Sequence, residues 1–139
     1  MIDELSSLQT EYDLLCQRVK PCPSPYTFLT ERQDNGSPHV EFSDGRYHYI
    51  VTERGLDLES RSTADRSEIL YWMLYDLTFW MGVAYEFKNR IDGPDVRRII
   101  FAHWLDLMKK ADLAFADRLK IHIAETLDKN PFIDQDPLG

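Results

Sequence analysis

The sequence predicts an α+β domain. One N-terminal helix comes first, then a three- to four-stranded antiparallel β-meander, then a three-helix C-terminal half around a buried, aromatic-rich helix. Three observations lead there. Apolar residues at the start recur every three or four positions, the period of one helical face. Short β-rich runs punctuated by Asn-Gly and Asp-Gly follow, as in hairpins. The second half carries helical spacing broken at IDGP, around Lys110 to Asp112, and at Asn130-Pro131. A length of 139 residues predicts one domain. Its expected bounds are residues 1–132, with 133–139 as a loose polar tail.

In the first helix Ile2, Leu5, Leu8, Tyr12, Leu15, Cys16 and Val19 form one stripe. Pro21, Pro23 and Pro25 end it, because proline lacks the backbone donor and restricts its predecessor. YTFLTE (26–31) is read as a strand, DNGSP (34–38) as a turn, HVEFSD (39–44) as a strand. Asp44-Gly45 turns the chain into RYHYIVTE (46–53), and Arg54-Gly55 into LDLES (56–60). Val40 and Phe42 are expected on one face of their strand, as are Leu56 and Leu58 on theirs. The middle strand is ambiguous: Tyr47, Tyr49 and Val51 form one face, yet Ile50 sits on the other. Ser62 to Asp65 supplies capping oxygens for a helix over about 64–89. Gly93-Pro94 ends one helix connection and starts the next helix, which carries Val96, Ile99, Ile100, His103, Trp104, Leu107 and Met108. The pattern shifts phase around Lys110 to Asp112, where a short break is expected. A last helix carries Ala116, Leu119, Ile123 and Leu127.

The run Ile69 to Tyr85, ILYWMLYDLTFWMGVAY, is apolar on almost every side. A membrane span needs about 20 predominantly apolar residues. This run is shorter, contains Asp76 and several tyrosines, and has flanks of mixed sign (Arg66, Glu68, Glu86, Lys88). It predicts the central helix of a globular core and no membrane partner. The same aromatics could stack on a flat ligand, but no glycine-rich phosphate loop accompanies them.

The formal net charge is −8. That argues against a nucleic-acid partner, whose phosphates need a basic surface. The net negative charge is concentrated early: residues 1–65 hold 12 Asp and Glu against 6 Lys and Arg, and residues 66–139 hold 12 against 10. The acidic start, with no apolar segment behind a basic one, predicts a cytoplasmic protein. Cys16 and Cys22 are expected as reduced thiols, since no second pair exists to build a zinc site.

No phosphate-loop, zinc-protease, esterase-elbow or dinucleotide fingerprint occurs. No cofactor and no metal are expected. The one constellation with chemical potential is His103 with Asp106 and His122 with Glu125, each pair on one helical face. A small helical enzyme or metal site using those four is the alternative reading, and an adaptor subunit is another. Asp76 must find a partner in its apolar surroundings or change protonation, and a tyrosine hydroxyl or backbone donor is expected. Counting from IDGP, Arg97 and Arg98 fall nearer the level of Glu86 than of Asp76, so Glu86 is expected to pair with Arg97 or Arg98 across two antiparallel helices.

The series ILYWMLYDLTFWM, AYEFKNRI, DVRRIIFAHWLDLM and LDKNPF resembles immunity protein family 63 of bacterial polymorphic toxin systems, over roughly residues 47–132. The resemblance implies a small protein, not an enzyme, that binds a cognate toxin domain and blocks it. It carries no catalytic motif. An acidic inhibitor suits a basic toxin such as a nuclease. The expected docking face is the open side of the meander, with Glu41, Asp57 and Glu59 as its acids and Tyr47 or Tyr49 as its anchor; the competing site is the acidic helical surface and tail around Asp128, Asp134 and Asp136. Oligomeric state is not legible.

Overall fold

A computed structural model of the chain describes residues 3–19, 35–53 and 56–135. The elements are α1 (Glu4–Arg18), β1 (Asn35–Ser43), β2 (Arg46–Glu53), β3 (Leu56–Thr63), α2 (Arg66–Lys88), α3 (Arg97–Ala111) and α4 (Leu113–Lys129). The class is α+β, with the described strands in one sheet of order β1-β2-β3. The expected strand at 26–31, the PCPSP connector and Cys22 lie outside the described residues. The described residues sort into two compact units. One holds α1 to Gln17, the three strands and α2 through Trp72. The other holds Arg18, Val19, α2 from Met73, α3, α4 and the segment to Gln135.

In the first unit the Asp44-Gly45 turn sets the register. Both residues have left-handed backbone, φ 53° and 72°. That conformation matches the twist of a two-residue hairpin, and glycine adopts it without steric cost. Ser43 therefore pairs with Arg46, Phe42 with Tyr47, and Val40 with Tyr49. On the far side Tyr47 pairs with Thr63 and Tyr49 with Arg61. Alternation places Val40, Phe42, Tyr47 and Tyr49 in rows on one face. The segment read as a DNGSP turn instead opens β1, with a register irregularity between Asn35 and Pro38. Proline cannot donate to a ladder, and the break falls next to it.

Leu8, Tyr12, Cys16, Val40, Tyr47, Tyr49, Ile69, Leu70 and Tyr71 are the buried apolar side chains of this unit. Arg66 binds its polar margin together. Its guanidinium donates to the Tyr47 hydroxyl at 3.1 Å, Ser7 Oγ at 2.9 Å, Glu11 at 3.3 Å and Glu4 at 3.1 Å. Tyr47 in turn donates to Glu4 at 2.8 Å. Burial pushes the Tyr47 hydroxyl's pKa up. The planar fork of arginine is what lets one side chain serve α1 and β2 together.

In the second unit α2 and α3 approach closely at Gly82. A Cβ there would lie 3.0 Å from the Ile100 carbonyl oxygen. Trp104 closes the same contact, its indole N–H donating to the Tyr75 carbonyl at 3.2 Å. Its ring meets Tyr75 and Phe79 edge-on at 4.8 and 5.0 Å. The expected break before the last helix is Asp112. It is extended, φ −165° and ψ 124°, and its carboxylate accepts from the Phe115 amide at 2.9 Å. Leu74, Leu77, Thr78, Leu107, Met108 and Leu119 are buried in this unit.

α2 departs from its expected all-round burial. Ile69, Met73, Leu74 and Leu77 are buried, but Trp80 is 65 % exposed, Tyr85 43 % and Phe87 74 %. The helix is covered on every side near its start and on fewer sides near its end. Leu77→Ala removes a buried branched side chain and leaves a cavity, so it is expected to cost about 2–5 kcal/mol. Denaturant melts check this; a loss under about 1 kcal/mol would show that α2 is not core at Leu77.

Candidate partner-binding surface

The expected sheet site is only partly assembled. Glu41 is exposed, opposite His48 in the register and 3.7 Å from His39. Tyr47 and Tyr49 do not accompany it. Both are buried, at 4 % and 3 % exposure, because cross-strand pairing sets them beside Phe42 and Val40 on the apolar face. Tyr47 spends its hydroxyl on Glu4 and Arg66, while Tyr49 lies against Trp72. Arg61 stacks on that Trp72 ring at 4.6 Å. In the register Asp57 pairs with Thr52 and Glu59 with Val51, with an irregularity between Val51 and Thr52. The side chains of Asp57 and Glu59 lie outside the description.

The expected pairing of Glu86 with Arg97 or Arg98 is not what the chain makes. Glu86 is 2 % exposed and receives Arg90, one helical turn onward, at 2.8 and 3.2 Å. Arg97 turns to Asp95 at 2.8 Å and donates to the Asn130 and Pro131 carbonyls at 2.9 Å each. Arg98 grips Asp134 at 2.8 Å. Local arginine supply and a returning C-terminal carboxylate outcompete the cross-helix partner. Asp76 is half-buried.

These contacts tie 131–135 to the α2–α3 connection, so the described part of the expected loose tail is held. Asp95 also accepts from the Ile133 amide at 2.9 Å, Asp134 from the Asp95 amide at 2.8 Å, and Gly93 O from the Gln135 amide at 2.6 Å. Phe132 lies beneath Arg98, 4.2 Å from guanidinium carbon to ring centre. The DVRR and NPF segments, far apart in sequence, form one clasp. Hydrogen bonds from Arg98 and from the Asp95 amide hold the Asp134 carboxyl down at about 2. Arg97 and the Ile133 amide hold Asp95 well below the usual carboxylate range.

The four residues of the alternative reading separate into two aromatic contacts. His103 stacks on Tyr85, rings parallel within 5° and 3.9 Å apart. Burial lowers the pKa of His103. His122 shares a 2.9 Å hydrogen bond with the Tyr75 hydroxyl. Asp106 and Glu125 are exposed. Among the described residues no group of three His, Cys, Asp or Glu side chains is placed to hold a metal ion.

The surface that sequence reasoning missed lies at the end of α2. Trp80, Ala84 and Phe87 follow at spacings of four and three and make an exposed ridge. Past the helix end the chain borders a concavity of about 400 Å³, lined by Ile91, Pro94, Val96 and Ile133 with Arg90 and Asp92 among its polar walls. Ile91, Val96 and Ile133 are 60 %, 40 % and 76 % exposed. Neighbours fix both aromatics. Trp80 meets Phe79 edge-on at 5.6 Å, and Phe79 leans on the buried Trp104. Phe87 lies under Arg90, which Glu86 anchors from the interior. A departure from uniform apolarity was not available as a signal, since buried and exposed aromatics alternate in the same run.

The family model described as Immunity protein 63 matches residues 43–125, more than half of the chain. The chain belongs to that family. No curated protein and no solved structure matches it. No helix among the described residues is long and apolar enough to cross a membrane.

The clasp has a pH signature. Both carboxyls have folded pKa values below the ordinary value near 3.8, so the stability they contribute is complete above that value. It is lost as pH falls through about 2 for Asp134. Asp134→Asn is expected to lower the melting temperature at neutral pH and to converge with the parent toward the acid limit. A constant gap across the acid range would contradict the ion-pair account.

Proposed function

We propose that this chain is an immunity protein that binds a cognate toxin domain in the producing cell's cytoplasm and blocks it, within a polymorphic toxin system. Family membership over residues 43–125 is the observation that carries the reading. It acts by binding rather than by catalysis. The net charge of −8 supports a basic partner, because opposite charge speeds encounter and suppresses wrong partners. A nuclease domain, which must itself be basic to hold phosphates, is the toxin class this favours.

The test is co-expression. The probe is a candidate toxin domain, the C-terminal domain of whichever large secreted protein a neighbouring gene is found to encode, produced inside cells with and without the protein. Survival with it and death without it is the expected outcome. Death in both cases, with the protein present and folded, would end the reading.

A further inference from the structure

We infer that the ridge of Trp80 and Phe87, with the socket bordered by Ile91, Val96 and Ile133, is the surface that seats the toxin domain. This rests on the immunity reading and deepens it. The toxin is expected to insert an aliphatic or aromatic side chain into the socket and to lay an apolar patch along the ridge.

Four observations converge. Three large apolar side chains there are more than half exposed, at 65 % for Trp80, 74 % for Phe87 and 76 % for Ile133. Exposed apolar surface gathered in one place marks an interaction site more often than scattered exposure does. A concavity of about 400 Å³ is lined by Arg90, which lies over Phe87, and by Ile91, Val96 and Ile133, and gives a partner side chain somewhere to go. Both aromatics have neighbours to rest on, Trp80 against Phe79 and Phe87 under an Arg90 that buried Glu86 holds at 2.8 Å. Side chains restrained in this way lose less entropy on association. The residue types are Trp, Phe and Arg, and Trp and Arg are among those that dominate measured binding energies.

Charge selects the occupant. The socket is lined by Arg90, Asp92 and Asp95, so its polar walls carry both signs. The whole chain carries −8, and a second copy would bring like charge to like. A basic foreign domain with an apolar contact patch meets no such repulsion. The division of labour follows: overall charge sets the association rate, while ridge and socket set the dissociation rate.

The experiment uses the full chain and the same toxin domain, inactivated for handling. Trp80→Ser and, separately, Ile133→Glu are measured for binding kinetics, with Glu41→Lys as the sheet-face control. All three positions are exposed, and an unchanged melting temperature confirms folding. Trp80→Ser and Ile133→Glu are each expected to weaken binding by about thirtyfold or more, mainly through faster dissociation. Glu41→Lys is expected to slow association and leave dissociation unchanged. Parent dissociation should vary little between about 0.05 and 0.5 M salt while association slows. Parent binding with both ridge and socket variants unaffected would overturn the surface and spare the immunity reading. A parent that neither binds nor protects would overturn both. A parent dimer in sedimentation, dissolved by Trp80→Ser, would assign the patch to self-association and overturn the proposal.

Discussion

The apolar girth of α2 is the constraint on which the rest depends. A 23-residue helix with this composition has to be covered on most of its sides. The chain supplies that cover unevenly. Ile69, Leu70, Tyr71, Met73, Leu74 and Leu77 are buried near its start, and Gly82 lets α3 come within contact distance further on. The face that carries Trp80 and Phe87 is left bare. In an isolated domain this would be a solubility liability. On the proposal made above for this member of the Immunity protein 63 family, it is the surface that meets the partner.

Arginines manage the polar margins. Arg66 gathers α1 and β2 around its fork, Arg90 satisfies the buried Glu86, and Arg97 and Arg98 clasp the segment after α4. In each case a bidentate or multiply donating guanidinium does what a lysine point charge would do poorly. Such pairs at the surface contribute little individually. Their effect here is positional: Arg90 orders Phe87, and the Arg97–Arg98 clasp places Ile133 beside Ile91 and Val96.

Much of the fold was legible. Period-3.6 and period-2 patterns, the Asp44-Gly45 turn and the Lys110–Asp112 phase shift each found their element, because they are local signals with local causes. DNGSP misled, since Asn-Gly marks a turn only where the flanking backbone does not join a ladder, and Asn35 does. The site was far less legible. Whether Tyr47 or Trp80 faces water depends on register and on what packs against a helix, both long-range facts. Glu86 misled for a related reason: mirror distance from a connection says which residues are level, not which arginine is nearest along its own turn. The link between DVRR and NPF is likewise tertiary, invisible until Arg98 and Phe132 meet.

The central claim is that the bare end of α2 is where the partner binds. Amide hydrogen exchange of the full chain, alone and with the inactivated toxin domain, tests it without any substitution. The account expects slowed exchange over the second half of α2, the 89–96 connection and the segment around Ile133, with β1–β3 unchanged. Protection concentrated in β1–β3, with α2 and the clasp exchanging as in the free protein, would contradict it.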